Sequence, residues 1–529
     1  MYSFKEATEL EVEKIIKEFG IKTSAEDPIP SKLMKSSLDI LIPVLTKMVN
    51  KSLSEGSMDG VKWSVIDPLL KKVGLDIEIK KNYRPVNYLV YFSKLIERVV
   101  VARLDDHMTA HNLHECSQFA YKQNHNTELM MLGITDEILR GFDKGLATIV
   151  LFFDLSAAFD TIDTSKLLQI LRDEIGIDGT ALKWFESFLT GRTQKVKING
   201  EYSTSLEVPC GAPQGSVLGP KVFNINVRSQ PTVFRKSMFT TSSFADDSNG
   251  RRAFALTFQF QVLKNDVGQC IRDIITWSNV HFMKINPDKT ELQLFRPESL
   301  NNEVKIKGII FDDQCIRFSD YVKNVGVTLD NNLTMDKQVN NLVSHCYKIL
   351  KDIGRTKKYL RRDHLETLVH AVITNRIDNN NSLLVNVSKE NLFKLQKLQN
   401  SAARLILGKR RRDSGKQALK ELHWLNVDAR ITYKILLIVF KVVRGMCASI
   451  DLNYKGFNGR QNDYLMLDTP NYKTKYGKRI FDYNGSRLWN VLPLDLRKEE
   501  DIKKFKKMLK TLLFEGNEEL KRKALKYAS

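Results

Sequence analysis

The apolar positions of the N-terminal segment, residues 1–54, recur at helical spacing. They keep this spacing from Leu10 to Phe19, and the sequence DPIP at residues 27–30 then interrupts the pattern before a second helix. The segment is therefore predicted to be a helical extension.

Short runs of β-branched and aromatic residues begin after this segment. Residues 62–70 and 83–91 carry such runs around turn signals, which predicts a strand pair or a loop. An apolar stripe over residues 93–108 predicts a further helix.

The central part of the chain has the pattern of a buried sheet. Residues 147–155 (ATIVLFFDL) form a continuous apolar run that ends in an acid, as in a strand buried on both faces. Strand patterns also occur at 196–198, 239–243 and 291–295, and a helical pattern occupies 265–283. This order predicts an α+β domain with a small mixed sheet rather than a doubly wound one.

Beyond about Asp330 the pattern becomes almost wholly helical and the sequence becomes more basic. Its two densest cationic clusters are residues 354–362 and 409–412. Because the second cluster lies between two predicted helices, it is interpreted as a linker or a phosphate contact.

The chain is more basic than an average globular protein. Its 82 Lys and Arg residues exceed its 62 Asp and Glu residues, which gives a formal net charge of +20 at pH 7. Such an excess attracts polyanions, so nucleic acid is the first partner to consider, with an acidic membrane surface as the alternative. The six cysteines form no C-x-x-C pair or Cys/His cluster, which predicts no zinc site and a reducing compartment. We find no signal peptide and no apolar run long enough for a membrane span.

Three aspartates follow or join predicted strands. Asp154 comes after five strongly apolar residues, and a buried carboxylate there needs a partner or a metal; taken alone, it is better explained as the cap of the next helix. Asp246 and Asp247 fit the tip of a tight hairpin, where a solvated turn is the simpler explanation. Carboxylates that meet at one sheet edge repel unless cations separate them. Two-metal nucleotidyl transfer uses that arrangement, with Mg²⁺ ions about 3.5–4 Å apart.

A Gly- and Pro-rich stretch, GAPQGSVLGP at residues 211–220, lies between these acids. Gly and Pro allow the backbone to approach a ligand closely and then to enter a helix, which is predicted to begin at Ser216. Gln214 could hydrogen-bond a sugar or a base edge. Taken alone the stretch is a weak signal, because many Gly-rich loops are only turns.

The three motifs FFDLSAAFD, GAPQGSVLGP and FADD, in this order and spacing, resemble motifs A, B and C of reverse transcriptases. The segments NYRPVNYLVYFSKLIERVV, SQFAYKQNHNTE and INPDKTELQLF resemble the corresponding blocks of non-LTR (LINE-type) retrotransposons near the jockey branch. LQNSAARLILGK, LHWLNVDARITYKILLIVFKVVRG and GSRLWNVLPLDLR are similar to the C-terminal region of that branch. The resemblance therefore covers nearly the whole chain.

The resemblance implies catalytic roles for individual residues. Asp154 and Asp246, with Asp247 beside them, would bind two Mg²⁺ ions, or Mn²⁺ in their place. Phe159 would be the steric gate that excludes a 2′-hydroxyl; without the resemblance, a core aromatic is the better interpretation. Lys289 would protonate the departing pyrophosphate, although a surface lysine is nearly as good an explanation.

The resemblance also implies contacts with substrates. Gln214 and Gly215 would line the nucleotide pocket, and Arg84 with Lys71 or Lys72 would hold the triphosphate. The template–primer would be contacted by Gln118, Lys122, Arg355 and Arg361. The partners implied are an RNA template, a DNA primer or target and dNTPs; no membrane partner is expected, and the oligomeric state stays open. By analogy the protein would be intracellular, in the nucleus, the cytoplasm or both.

The architecture implied is the right-hand polymerase plan, which suits a chain of 529 residues with an expected three or four domains. The N-terminal extension (1–54) would precede fingers and palm at 55–315, built on a small mixed or antiparallel sheet. A thumb-like helical region (316–408) and a basic C-terminal helical region (409–529) would follow.

The chain departs from the family directly after the two aspartates. The family more often has Thr-Gln and an apolar strand there, whereas this chain has SNGRR at residues 248–252, so a shorter return strand is expected. Lys122 stands where arginine is more usual. Intact elements carry an endonuclease ahead of this region, and none is expected in this chain.

Two other hypotheses remain open beside an active reverse transcriptase. A decayed or repurposed element would bind RNA or DNA without polymerising. An RNA replicase would use ribonucleotides, but replicases tend to have an acid at the position of Phe159.

Overall fold

The computed structural model describes residues 1–20, 27, 29–256, 260–286, 290–301, 308–311, 314–447, 450, 452–454 and 465–516. By its contacts the chain divides into two compact units. The first comprises Met1–Tyr121, Asp154–Lys236 and Cys270–Asp288, and the second comprises Lys122–Phe153, Ser237–Gln269 and Lys289–Ser529.

Helices dominate both ends of the chain. In chain order they are α1 (Glu9–Glu18), α2 (Ser31–Ser36), α3 (Leu38–Glu55), α4 (Tyr91–Ala110), α5 (Thr127–Asp143), α6 (Thr164–Asp173), α7 (Gly179–Leu189), α8 (Gly219–Asn226), α9 (Gln230–Lys236), α10 (Phe260–Val280), α11 (Asp336–Thr356), α12 (Arg362–Val369), α13 (Asn375–Asp378), α14 (Lys389–Ile406), α15 (Gly415–Glu421), α16 (Val427–Val443), α17 (Phe481–Trp489), α18 (Leu494–Lys498) and α19 (Ile502–Glu515).

Strands lie between these helical regions. They are β1 (Trp63–Leu70), β2 (Tyr83–Leu89), β3 (Ala147–Phe153), β4 (Leu155–Ser156), β5 (Arg192–Ile198), β6 (Glu201–Tyr202), β7 (Leu206–Val208), β8 (Thr240–Phe244), β9 (Asp247–Phe254), β10 (Lys284–Ile285), β11 (Glu291–Phe295), β12 (Gly308–Phe311), β13 (Gln314–Arg317), β14 (Tyr321–Asn324) and β15 (Val327–Asp330).

The first unit contains a mixed sheet of five strands. Its order is β2-β1-β5-β6, with β7 also paired to β5. Strands β1 and β2 pair antiparallel, from Ser64 opposite Leu89 to Leu70 opposite Tyr83, whereas β1 and β5 run parallel. The strand pair predicted from residues 62–70 and 83–91 is thus confirmed.

The second unit contains an antiparallel sheet of four strands in the order β11-β3-β9-β8. Strand β3 lies inside this sheet, and all seven of its residues are buried. Its continuous apolar run is what a strand covered on both faces requires, and α5 packs against it. The strand prediction at 147–155 is confirmed, with the strand ending at Phe153.

After Asp330 the described residues form helices and no further named strand, as the pattern predicts. Helices α11, α12, α14 and α15 share a buried cluster of apolar side chains. The predicted domain limit at residue 315 falls inside β13, and the four-domain division stays a prediction. Within the described part of the chain, none of the helices has both the length and the apolar character needed to cross a bilayer. The described residues therefore form a mixed α/β structure, with a five-stranded mixed sheet, a four-stranded antiparallel sheet and three two-stranded sheets.

Candidate functional site

Asp246 and Asp247 lie on the hairpin that joins β8 to β9. Phe244 pairs with Asp247, so Ala245 and Asp246 alone form the turn. Ala245 has φ +55°, a left-handed conformation in which a side chain with a Cβ is strained. The hairpin prediction is confirmed, and its tip adopts a backbone conformation that needs support from the surrounding structure.

Asp154 follows directly after the end of β3. The last residue of that strand, Phe153, pairs with Ser248, the second residue of β9. Asp154 itself is buried, and its carboxylate accepts a hydrogen bond from the Asn286 amide at 3.3 Å. The backbone N–H of Asn286 also donates to the Asp154 carbonyl at 2.9 Å.

The simpler explanation of Asp154 as a helix cap is wrong. The next helix, α6, begins at Thr164 and is capped by Asp163, whose carboxylate accepts from the backbone N–H of Lys166 at 2.7 Å. A cap must directly precede the first turn, and nine residues separate Asp154 from that helix.

The return strand of the hairpin is not shortened by its polar sequence, so that prediction is wrong. Strand β9 runs for eight residues and pairs with the whole length of β3. Its two arginines are neutralised: Arg251 pairs with Glu137 of α5 at 2.7 Å, and Arg252 pairs with Asp266 of α10. Paired charges can enter a sheet that unpaired ones would break.

A buried polar network extends this contact across the hairpin. The Arg251 guanidinium also donates to Ser242 Oγ at 3.0 Å and to Asn249 Oδ1 at 2.6 Å. The amide of Asn249 in turn donates to the Ser242 carbonyl at 2.8 Å. The other oxygen of Glu137 accepts from the Thr240 hydroxyl. One carboxylate of α5 therefore holds both strands of the hairpin.

The Gly- and Pro-rich stretch lies against the turn that follows Asp154 and β4. Gly211 has φ +93°, and a Cβ there would stand 2.9 Å from the Asp160 carbonyl oxygen and 3.0 Å from that of Phe159. The next residue, Ala212, donates its backbone N–H to the Phe159 carbonyl at 2.8 Å. Glycine is therefore required at position 211 by both conformation and space.

Gln214 and Gly215 lie at the centre of this stretch. The Gln214 amide donates to both carboxylate oxygens of Asp160, at 2.8 and 3.0 Å. Burial raises the pKa of the Asp160 carboxyl, while the bond from Gln214 lowers it. Gly215 has φ +87° and approaches the Asn87 carbonyl of β2 so closely that a Cβ would lie 3.1 Å from that oxygen.

Glu97, which the sequence analysis missed, anchors the end of the stretch. This fully buried carboxylate of α4 accepts the backbone N–H groups of Val217 and Leu218, at 2.7 and 3.0 Å, and the hydroxyl of Ser93 at 2.9 Å. Desolvation raises the pKa of Glu97, and these hydrogen bonds oppose that effect. An acid on the buried stripe of a helix, seven residues before Leu104, was the signal that could have revealed it.

The predicted helix start at Ser216 is wrong. Helix α8 begins at Gly219, with a proline in its first turn and Leu218 as its N-cap. The N–H groups of Val217 and Leu218, ahead of the helix, are satisfied by the Glu97 carboxylate. The hydroxyl of Ser216 instead accepts from the Gly219 N–H at 2.8 Å.

Phe159 is half-buried. Its ring stacks on Phe223 of α8, with centroids 4.7 Å apart and an interplanar angle of 20°. It also meets the exposed Tyr121 edge-on at 6.3 Å. The ring is therefore fixed in direction without being enclosed in the core.

The candidate triphosphate contacts lie at one end of the β1–β2 hairpin. Arg84 of β2 pairs with Leu69 of β1, and Lys71 and Lys72 follow the last residue of β1. All three cations are exposed, and the Lys71 ammonium donates to the Lys81 carbonyl at 2.7 Å. The hairpin thus brings together cations that are separated in the sequence.

The candidate template contacts are more scattered. Gln118 is buried, and its side chain accepts from the Ala120 N–H at 3.0 Å, whereas Lys122 is partly exposed in the other unit. Arg355 and Arg361 are exposed and form ion pairs with acids of their own helices or helix ends, at 3.2 and 3.0 Å. Lys289 lies outside the described residues.

Among the residues that the structure describes, no group of three or more His, Cys, Asp or Glu side chains is arranged so that it could hold a metal ion by itself. Mg²⁺ is commonly bound by one or two carboxylates together with substrate phosphates and water. The carboxylates after β3 and on the hairpin are oxygen donors of the type that this ion prefers.

Comparison with known proteins identifies the central part of the chain. A family described as reverse transcriptase (RNA-dependent DNA polymerase) matches residues 70–329. The chain contains a reverse transcriptase domain. This domain includes all three aspartates, the Gly- and Pro-rich stretch and the whole four-stranded antiparallel sheet.

Relatives of the reverse transcriptase domain come from transposons. The chain is 26% identical over 356 residues to the probable RNA-directed DNA polymerase from transposon BS of Drosophila melanogaster, covering 64% of this chain and 37% of the relative. It is 24% identical over 359 residues to the same kind of protein from transposon X-element of that species, covering 66% of this chain and 38% of the relative. It is 23% identical over 343 residues to the RNA-directed DNA polymerase from mobile element jockey of that species, covering 63% and 36%. The matched part spans little more than a third of each relative.

Proposed function

We propose that this protein is the RNA-directed DNA polymerase of a jockey-like non-LTR retrotransposon. It would add dNTPs to the 3′-hydroxyl of a primer along an RNA template. The family match and the names of the relatives support this proposal.

One observation of the structure carries the proposal. Strand β3 ends at Phe153 opposite Ser248, so β3 leads directly into Asp154 and β9 starts at Asp247. The acid of one motif and the acids of another are therefore attached to neighbouring strands of a single antiparallel sheet. Two-metal nucleotidyl transfer needs carboxylates that can hold two ions about 3.5–4 Å apart, and neighbouring strand ends can supply them.

Asp154, Asp246 and Asp247 would hold two Mg²⁺ ions, or Mn²⁺ in their place. These ions would activate the attacking 3′-hydroxyl and stabilise the leaving pyrophosphate. The chain itself would contribute rigidity: the ion pair between Glu137 and Arg251 holds the hairpin, and Asn286 holds the Asp154 carboxylate.

The remaining candidate residues would bind the nucleotide and the template–primer. Phe159 would lie under the sugar, where its ring, held by Phe223, excludes a 2′-hydroxyl. Exposed cations would hold the triphosphate, and Gln214 and Gly215 would line the pocket. The residues assigned to these roles are Lys71, Lys72 and Arg84 for the triphosphate, Gln118, Lys122, Arg355 and Arg361 for the template–primer, and Lys289 for proton transfer to pyrophosphate.

In this proposal the α/β structure has the right-hand polymerase architecture of fingers, palm and thumb. Residues 55–315 would be fingers and palm, 316–408 the thumb and 409–529 a C-terminal nucleic-acid-binding region. The excess of positive charge suits RNA and DNA partners, whose binding should weaken steeply with salt. An enzyme of this kind would act in the nucleus, the cytoplasm or both.

Primer extension on poly(rA) primed with oligo(dT), with Mg²⁺ and dTTP, tests the proposal. Asp246→Asn removes one charge from the metal site and is expected to lower incorporation at least about a hundredfold, since metal stabilisation contributes several kcal/mol to the transition state. Asp173→Asn is the matched control, because Asp173 is exposed on α6. Wild-type incorporation no higher than that of Asp246→Asn would leave only nucleic-acid binding.

A second experiment tests the selection of deoxynucleotides. Phe159→Val is expected to raise ribonucleotide incorporation relative to deoxynucleotide incorporation by about ten- to a hundredfold, the range of steric discrimination in such pockets. Phe159→Tyr keeps the ring and should keep the selectivity. A wild-type enzyme that prefers ribonucleotides would identify an RNA replicase instead.

A further inference from the structure

A groove of about 660 Å³ lies in the second unit, apart from the residues proposed for catalysis. It is bounded by α11, by the segment from Ala371 to Asn379 and by the tip of the β14–β15 hairpin. We call it the α11 groove. Its volume falls within the range of sites for small ligands, roughly 300–1,000 Å³.

The charges of the α11 groove favour an anion. Lys323 and Arg376 line it and are both exposed, and neither forms an ion pair in the described part of the chain. The Arg376 Nε–H donates to the Val372 carbonyl at 3.0 Å, which fixes the guanidinium and leaves its outer N–H groups available. No carboxylate is found among the described residues that line the groove.

A second cavity of similar size shows the contrast. That cavity, about 620 Å³, is lined by lysines and an arginine but also by Glu298, Asp336 and Glu390. The three carboxylates offset most of the positive charge of that lining. The α11 groove therefore offers positive charge that the second cavity does not.

The rest of the lining suits a nucleobase. Asn341, Asn375 and Asn379 are exposed, and each side-chain amide offers two donors and one acceptor to a ligand edge. Between them lie Leu342 and Val372, which pack against the buried cluster of α11, α12 and α14 and form a firm apolar surface. Cations, an apolar surface and polar edges together match the parts of a nucleotide.

Two backbone irregularities border the α11 groove. His370–Thr374 is a π-helical turn inside a helical region, a feature that often marks functional sites. In the turn between β14 and β15, Val325 has φ +39° next to Gly326 at φ +87°. A positive φ at a β-branched residue is strained, and such strain is kept where it serves a purpose.

We propose that the α11 groove binds an unpaired nucleotide of a single-stranded nucleic acid. Lys323 and Arg376 would contact phosphates, Leu342 and Val372 would lie against the base, and Asn375 would hydrogen-bond its edge. The proposal rests on the proposed function for the class of partner, but its test needs no polymerisation. A chain that fails to extend primers can still bind through this groove.

The test compares Lys323→Ala/Arg376→Ala in the full chain with Lys14→Ala/Lys47→Ala. The control removes the same charge from exposed positions of α1 and α3, in the N-terminal segment to which no contact with nucleic acid is assigned. Fluorescence anisotropy without dNTPs measures binding to labelled twelve-nucleotide single strands of RNA and of DNA, and to a blunt RNA–DNA hybrid. Thermal melts verify that the exposed substitutions leave folding unchanged.

The groove variant is expected to bind single strands at least about tenfold more weakly than the control variant. Its salt slope should fall by about 1.4, since each lost phosphate contact on a single strand removes about 0.7. Asn375→Ala should weaken binding about threefold or more with an unchanged slope, as expected for a base contact. If the groove variant loses affinity for the RNA strand alone, the ligand of the groove is RNA. If it loses affinity equally for RNA and DNA, the groove recognises the phosphates and bases that both nucleic acids share.

Three results would contradict the proposal, and each concerns a different claim: the groove as the binding site, the single-stranded ligand, or the contact with the base. Equal affinities of the groove and control variants for single strands would remove the groove as a binding site. An equal loss on the hybrid would reassign it to the backbone of a duplex. Full binding by Asn375→Ala would exclude the proposed contact with the base edge.

Discussion

Replacing Arg251 with leucine removes the guanidinium that joins the β8–β9 hairpin to α5. In the wild type this side chain contacts Glu137, Ser242 and Asn249, and only 6% of it is exposed. Glu137 would then face the hairpin without its cation. We expect the hairpin that carries Asp246 and Asp247 to open more readily.

The size of the effect follows from the burial of the two partners. Removing one member of a buried pair costs about 3–5 kcal/mol when the other charge stays buried. The Glu137 side chain is 34% exposed, so water can partly solvate it once Arg251 is gone. We therefore expect a loss of about 2–3 kcal/mol, below the full range.

A double-mutant cycle separates the ion pair from the other contacts. Glu137→Gln, Arg251→Leu and the combined variant are unfolded in urea and followed by circular dichroism. Because the double variant leaves no charge without its partner, its loss should be smaller than the sum of the single losses by about 1–2 kcal/mol. Arg355→Leu is the control, since it breaks an exposed pair with Asp352 that should contribute less than about 1 kcal/mol.

Hydrogen exchange shows whether the effect is located at the hairpin. Amides of residues 240–254 should exchange about thirtyfold faster in Arg251→Leu, which corresponds to about 2 kcal/mol of local opening. Amides of the mixed sheet of the first unit should be unchanged. Additive losses in the cycle, within about 0.5 kcal/mol, together with unchanged exchange at the hairpin, would refute the assigned role of the Glu137–Arg251 pair.

Two further predictions concern pH and a backbone contact. Desolvation raises the pKa of the buried Asp136 carboxyl to about 8 in the folded chain. The protonated carboxyl therefore stabilises the fold fully below about pH 4, which is the pKa of an aspartate in an unfolded chain. This stabilisation decreases as the pH rises from there to about 8. Urea unfolding between about pH 5 and 7 should therefore show a decrease about 1.4 kcal/mol per pH unit steeper in the wild type than in Asp136→Asn, and equal slopes would contradict the assignment. Gly211→Ala should lower the free energy of unfolding by about 2 kcal/mol more than Gly60→Ala, because both have positive φ but only Gly211 has carbonyl oxygens within 3.0 Å of the new Cβ. An equal loss in the two glycine variants would exclude the contact at Gly211.

Local patterns in the sequence predict those parts of the fold whose causes are local. The run at residues 147–155 predicts β3 because six of the seven residues ATIVLFF are apolar, as expected for a strand covered on both faces. The tip of the β8–β9 hairpin follows from the turn signal of Asp246 and Asp247 directly after a short run of strand residues at 239–243. In both cases the signal lies within about ten residues, the range over which periodicity can be recognised.

The contacts that stabilise the candidate site, unlike these local patterns, join residues that are far apart in the sequence. Glu97 and Val217 are 120 residues apart, and Glu137 and Arg251 are 114 apart. Asp136 accepts the N–H of Phe481, 345 residues further on. No periodicity links such partners, so the helix start at Gly219 and the full length of β9 could not be obtained from local patterns.

The departure after Asp247 shows why a motif has to be considered together with its partners. Arginines at positions 251 and 252 make β9 too polar for a strand if each residue is weighed alone. The sheet accepts them because Glu137 on α5 and Asp266 on α10 supply opposite charges at the two positions. An apolar strand with a neutral side chain in place of Glu137 would hold the hairpin by packing instead. The polar sequence is therefore evidence of a different way to fix the same strand, and gives no reason to infer that the strand or its aspartates have decayed.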